Sequence, residues 1–334
     1  MAKKLLLFGV LILVLALALT GCAKKEEGMT KVRLNEVTHS VFYAPLYVAV
    51  NLGLFAEEGI DLEFSTGQGA DHVMTALLSG QADIGFMGSE ASIYVYNQGQ
   101  EDYAVNFALL TQRDGSFLVA REPMPDFTWE DVRGKSIIGG RPGGMPLMTL
   151  EYVLKQQGLT PGEDVEVMTH IQFALMGGAF TGGEGDFVTL FEPVATALEL
   201  EKEGYVVASV GADSGEIPYT AFAAAKSYID KNPELIEAFT RAIYKGQIWV
   251  HEHSAQEIAE VIQPSFPDSD LASLVIVAQR YMDIDAWRAT PFFSQESFEL
   301  LQDVMELAGE LETRAPYDKL VTNEFANKVI ERTD

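Results

Sequence analysis

Cysteine is almost absent from this chain: the 334 residues contain one, Cys22. An internal disulfide framework is therefore excluded, and the fold must be held by burial. Positive charge is scarce as well, with 23 Lys and Arg against 49 Asp and Glu and a formal net charge of −26. Such a surface repels nucleic acid and anionic headgroups, so no nucleic acid is expected as a partner. After Leu19 no apolar run reaches the ~18 residues that a membrane-spanning helix needs, and no low-complexity segment occurs. Catalytic patterns are missing too. There is no Gly-x-Ser-x-Gly elbow and no His-Glu-x-x-His helix, and His251 and His253 lie on different faces of one helix. Neither an enzyme nor a cofactor nor a resident metal is expected.

What is present begins at the amino terminus. Met1-Ala-Lys-Lys4 precedes the apolar segment Leu5 to Leu19, and Leu19-Thr-Gly-Cys22 closes it. The apolar segment is short for a bilayer span but suits a signal peptide. Thr20 and Gly21 before the cysteine resemble a bacterial lipobox, which makes residues 1–21 a lipoprotein signal peptide. Cys22 is then the lipidated amino terminus on the extracytoplasmic face of the cell membrane, and 22–29 is a polar tether. Removing residues 1–21 leaves 21 basic against 49 acidic residues, a charge of −28.

The stretch Val37 to Phe55 organises the rest of the chain. Lys31 to Val37 alternates with period two and reads as a strand, and Pro45 suits the first turn of the helix that runs on to Gly53. The loop between them offers Thr38, His39, Ser40, Phe42 and Tyr43 at a strand's carboxyl end, where open α/β sheets bind ligands. Two more β-α units come next: strand Ile60–Phe64 with helix Asp71–Leu78, and strand Ala82–Met87 with a helix that Ser89 can cap. Strands over 103–110 and 116–120 flank a polar separator, Thr111 to Gly115. The pattern then restarts with strands over 136–138, 165–169, 186–191 and 205–210, and Gly211 to Pro218 leads back. From Ser227 onward the period is helical. The expected fold is α/β with two lobes, each a mainly parallel sheet flanked by helices. Residues 30–112 and 219–334 form lobe 1 and 113–218 lobe 2.

An internal echo places one acid in each lobe. Gly80-Gln-Ala-Asp83 leads through a strand to Ser89-Glu90, and Gly183-Glu-Gly-Asp186 leads through another to Glu192-Pro193. Either carboxylate at a helix amino end satisfies the helix dipole, accepts hydrogen bonds from an amine or amidine-like edge, and takes the place an anion would want. Arg141, in the loop Gly139 to Gly144, argues for an anionic solute or for pairing with a cleft acid. Gly143 and Gly144 let backbone N–H groups approach a ligand. Phe42, Tyr43 and Phe173 can stack on a planar ring, with core packing the alternative for Phe42 and Phe173. Gly67 and Gln68 after the second strand, and Asp114 in the separator, complete the expected ligand-binding set.

In their order and spacing, Tyr43 to Leu62, Leu78 to Gly85, Val132 to Lys135 and Gly183 to Pro193 resemble the solute-binding lipoproteins of bacterial ABC importers. The branch resembled includes receptors for nitrate, aliphatic sulfonates, taurine and the pyrimidine precursor of thiamine. The resemblance implies a type II periplasmic-binding-protein clamshell that closes on a small molecule and presents it to a permease with ATPase subunits. It also implies that Glu192 contacts an aminopyrimidine, although Thr38-His39 stands where such binders carry an Asn-Trp pair. A planar nitrogen-containing solute is the expected ligand. A small oxyanion, or a sensory or structural role without transport, are the alternatives.

Overall fold

The computed structural model describes residues 28–332. The expected signal peptide, Cys22 and residues 23–27 of the tether lie outside the described residues. β1 (Thr30–Glu36) forms on alternation: Val32 and Leu34 are buried while Lys31 and Arg33 face solvent. β2 (Ile60–Thr66), β3 (Ile84–Gly88) and β4 (Ala104–Leu109) come after it, with helices Ala44–Asn51, Ala70–Leu78 and Glu90–Asn97 between them. The chain then crosses to β5 (Ser116–Ala120), β6 (Ser136–Ile138), β7 (Glu166–Met168), β8 (Phe187–Phe191) and β9 (Tyr205–Ser209). It returns in β10 (Thr220–Ala225).

Two five-stranded sheets result, ordered β2-β1-β3-β10-β4 and β7-β6-β8-β5-β9. They share one plan. In each, the strand that comes after a crossing, β10 or β5, lies between two others and runs antiparallel to both. β1 with β3, and β6 with β7 and β8, pair in parallel. The reversal has a geometric cause: a chain arriving from the other sheet enters where the parallel strands end, so it can only run back against them. The two-lobed α/β architecture is the expected one, with a reversed strand added to each sheet.

Two local differences have physical reasons. The helix expected to run to Gly53 ends at Asn51, because Gly53 takes φ +74° and the chain restarts as the short turn Leu54–Glu57. β10 lies where no strand was expected. Its sequence, Thr-Ala-Phe-Ala-Ala-Ala, lacks alternation and is mostly alanine, a poor strand former, and pairing with β3 and β4 on either side makes it a strand. Its Phe222 stacks on Phe86 with ring centroids 4.2 Å apart.

Candidate functional site

β1, β3, β6, β7 and β8 all end on one cavity of about 370 Å³. That volume suits a small organic molecule. Seven of the sequence-expected residues line it: Thr38, Tyr43, Gln68 and Glu90 from the first sheet's loops, and Arg141, Gly144 and Phe173 from the second's. Gln68 holds a left-handed backbone, φ 59°, at its rim.

Glu90 is the most constrained of these. It begins the helix Glu90–Asn97 and is 3% exposed. Its carboxylate folds over Gly88, where an added Cβ would stand 2.1 Å from Oε2, so a side chain at 88 would displace the carboxylate from this position. Oε2 is sealed from solvent and has no hydrogen-bond partner among the described residues. Burial pushes the carboxyl up to about 7, opposed by the backbone amides of Glu90 and Met145 and by the charge of Arg141. Met145 opens the helix Met145–Gln156 of the second sheet. The amino ends of one helix from each side therefore border the cavity.

Arg141 also pairs with Asp71 at 3.0 Å across the cavity rim, with side chains 46% and 58% exposed. Aromatic surface comes from Tyr43, Phe173, Phe191 and Tyr219, and Phe173 meets Phe191 edge-on at 5.5 Å.

Eight expected residues sit elsewhere, most of them engaged in other contacts. Glu192 is the main correction. Its carboxylate is fully buried and accepts from Arg280 at 2.7 Å and from the hydroxyl and amide of Thr196, both at 2.8 Å, so it fastens the helix Leu271–Asp283 to the second sheet. Ser40 donates to the Glu192 carbonyl at 2.7 Å. Phe42 is core, its ring 5.1 Å from Tyr281 and 5.5 Å from Phe191. His39 turns outward, Nδ1 2.9 Å from Glu36 and Nε2 2.7 Å from the Ser265 carbonyl. Ser89 does not cap its helix; its hydroxyl donates to the Pro218 carbonyl at 3.0 Å. Asp114 is fully buried in the crossing and takes the Ser116 amide at 2.6 Å. Gly67 packs on Asn35 and Val73, and Gly143 offers its carbonyl to the Tyr94 hydroxyl at 3.2 Å.

Several lining residues were not expected from the sequence, among them Asp71, His170, Gln172, Phe191, Tyr219 and Thr220. The strand-end rule that points to the loop after β1 points equally to the ends of β7 and β8, and so to His170, Gln172 and Phe191. Tyr219 and Thr220 had no signal because β10 has none.

Two α/β lobes with a solute-sized cavity at their strand ends make this a protein of the periplasmic-binding-protein fold. The chain belongs to the NMT1-like family, whose model matches residues 27–263. It is similar to YtlA of Bacillus subtilis (strain 168), 47% identical over 315 residues that cover 94% of each chain. Among solved structures, the alkanesulfonate-binding protein SsuA of Xanthomonas axonopodis pv. citri bound to MOPS superposes with a TM-score of 0.71 at 15% identity. That match covers 88% of this chain and 98% of the other. The periplasmic nitrate-binding protein NrtA of Synechocystis PCC 6803 gives 0.70 at 16% identity, covering 92% and 89%. At such identities these likenesses establish the fold.

Proposed function

We propose that this protein is the extracytoplasmic solute-binding component of an ABC importer. It captures a small planar nitrogen-containing solute and delivers it to a permease with ATPase subunits, without catalysis. Cys22 carries its lipid anchor. Lobe 1 comprises residues 30–112 and 219–334, and lobe 2 residues 113–218. The carrying observation is Glu90, a buried carboxylate in the wall of an aromatic cavity. An acid so placed is stabilised by a solute that brings N–H donors or positive charge, and the rings of Tyr43, Phe173 and Phe191 suit a flat partner.

Arg141 favours a second reading, capture of a small oxyanion, in line with the sulfonate and nitrate that two fold neighbours are described as binding. Its pairing with Asp71 at the rim and the buried acid beside it weigh against that reading.

Native mass spectrometry of the purified protein, followed by calorimetric titration with 4-amino-2-methylpyrimidine, taurine and nitrate, tests the choice. The aminopyrimidine is expected to bind, and Glu90→Gln to weaken it roughly tenfold to a hundredfold, the worth of a hydrogen bond to a charged group. Glu192→Gln, remote from the cavity, should leave affinity unchanged. Binding of taurine or nitrate but not of the heterocycle would reverse the assignment.

A further inference from the structure

We propose that His39 is a positioning residue for the cavity: a doubly bonded imidazolium that clasps the loop Thr38–Ser40 to the turn Gln263–Ser265 and makes solute capture weaken as pH rises. The ring meets an acceptor at each nitrogen. Nδ1 lies 2.9 Å from Glu36 Oε1, and Nε2 lies 2.7 Å from the Ser265 carbonyl oxygen. A carbonyl only accepts, so Nε2 carries a proton. Glu36 is 2% exposed and already accepts from the Tyr47 hydroxyl at 2.6 Å and the Thr66 hydroxyl at 3.1 Å. Among the described residues His39 is the only cationic group paired with it. A buried carboxylate of this kind acts as an acceptor toward Nδ1 as well, which gives the ring its second proton and its charge. The Tyr47 hydroxyl also lies 3.0 Å from Nδ1, but burial holds it well above its ordinary value, so it remains a donor to Glu36. The rings of Tyr47 and Phe266 stand 4.9 and 4.6 Å from the imidazole. These groups face His39 from β1, the helix Ala44–Asn51 and residues 265–266.

His39 stands between two residues with other duties. Thr38 lines the cavity, and Ser40 donates to the Glu192 carbonyl at the end of β8 at 2.7 Å. With three consecutive residues tethered, the hold on the middle one bears on where the outer two stand. The anchor on the far side is firm, because the Asn51 side-chain amide donates to the Ser265 hydroxyl and to the Val261 carbonyl, both at 2.9 Å. Loss of one ring proton releases the clasp. If Nε2 loses it, two acceptors face each other at Ser265. If Nδ1 loses it, its lone pair faces Glu36, or Tyr47 turns its hydroxyl to the ring and leaves a buried carboxylate oxygen bare. The bond to Glu36 lifts the imidazole above its ordinary 6.5, against the opposing effect of partial burial. A histidine raised by folding contributes stability that is fully present below its unfolded value and is lost as pH rises through the folded one, so the window opens at about pH 6.5 and lies above it. The inference rests on reading the cavity as the solute site.

Nitrogen-15 spectra of histidine-labelled protein read the ring directly and need no variant to fold. His39, its signals identified by their loss in His39→Gln, is expected to be protonated at both nitrogens and to titrate above 6.5; titration at or below that value would overturn the proposal. Glu36→Gln keeps the size but removes the charge, and should move the titration down. Amide exchange in residues 37–43, compared between the unaltered protein and His39→Gln with melting curves to establish folding, should be faster in the variant at pH 6, and the gap should close towards pH 9. A gap that does not change with pH would show that the ring only packs, and the clasp would fall. Calorimetric titration with 4-amino-2-methylpyrimidine carries the test to the solute. The unaltered protein is expected to bind about threefold to tenfold more tightly than His39→Gln at pH 6, with the ratio approaching one at pH 9. Taking the ratio removes the titration of Glu90, which both proteins share. A ratio independent of pH, with the heterocycle bound, would overturn the positioning role alone. If taurine or nitrate binds in place of the heterocycle, the choice of solute falls, and the same ratio measured with that anion decides this inference.

Discussion

Glu90 and Glu192 stand at equivalent strand-to-helix junctions, yet their surroundings treat them in opposite ways. Glu192 is buried with Arg280 and Thr196 as partners, so its charge is compensated inside the protein. Glu90 is buried with only distant compensation, and its carboxyl rises from 4.5 to about 7. Asp114, buried in the first crossing, rises from 3.8 to about 6 for the same reason, tempered by its bonds to Ser116. An acid whose folded value exceeds its unfolded one binds more protons when folded, so stability is greatest below the unfolded value and falls as pH rises through the folded one. For Glu90 the window is about pH 4.5 to 7, and the loss is on the order of 3 kcal/mol. Acids held low by partners, such as Asp83 by Arg33 and Asp186 by Ser136, act the other way and only below about pH 4. The solute-free protein should therefore melt at a higher temperature at pH 5 than at pH 8. Glu90→Gln should flatten that slope. Equal slopes for the two proteins in melting curves across this range would show that Glu90 is not a buried, uncompensated acid.

Among the elements, those announced by local pattern were legible and those made by tertiary pairing were not. β1 was readable because Val32 and Leu34 alternate with charged neighbours, and the helix Ala44–Asn51 because Pro45 marks its start. β10 was not, since three of its central residues are alanine and both of its faces are buried. The site divides in the same way: Thr38, Tyr43 and Glu90 could be placed from strand ends, whereas the fate of Glu192 depended on Arg280, 88 residues further on. Gly246 shows how contact overrides local preference. It lies within the helix Pro233–Glu252, where alanine would normally add about 1 kcal/mol of helix stability over glycine. An added Cβ here would stand 2.3 Å from the Pro45 carbonyl oxygen and 3.2 Å from the Ala49 side chain, so two packed helices would have to separate. Overpacking of this kind costs about 1–3 kcal/mol, which outweighs the propensity gain. Gly246→Ala is accordingly expected to lower the denaturant midpoint, and a raised midpoint would mean that the two helices yield more easily than this spacing implies.

Over the whole molecule, the lobes are fastened unequally on the two sides of the cavity. On one side the fastenings are buried: the Glu192–Arg280 pair at 2.7 Å, the Ser40 hydroxyl on the Glu192 carbonyl, the Tyr281 hydroxyl on the Gly115 carbonyl at 3.1 Å, and Phe42 among the rings of Tyr43, Phe191, Tyr219 and Tyr281. Gly115 itself allows this packing, because a Cβ there would meet the Phe42 ring at 2.6 Å. On the other side lie two rim contacts, Asp71 with Arg141 and the Tyr94 hydroxyl with the Gly143 carbonyl, and the packing of the helix Met145–Gln156 on the helix Gln295–Leu307, where Lys155 donates to the Leu307 carbonyl at 2.5 Å. An exposed ion pair contributes about 0–1 kcal/mol, whereas removing one partner of a buried pair costs several. Opening should therefore pivot about the buried side and part the lobes between Asp71 and Arg141. Losing ~1 kcal/mol from the rim shifts a closed-to-open ratio about fivefold. Arg141→Ala combined with Tyr94→Phe is expected to enlarge the radius of gyration of the solute-free protein in small-angle scattering, with little change in melting temperature. Arg280→Ala should do the reverse, lowering the melting temperature with no specific opening. A rim variant that scatters as the unaltered protein does would place the pivot elsewhere, and one that melts early instead would show that the rim contacts hold the fold rather than the closed state.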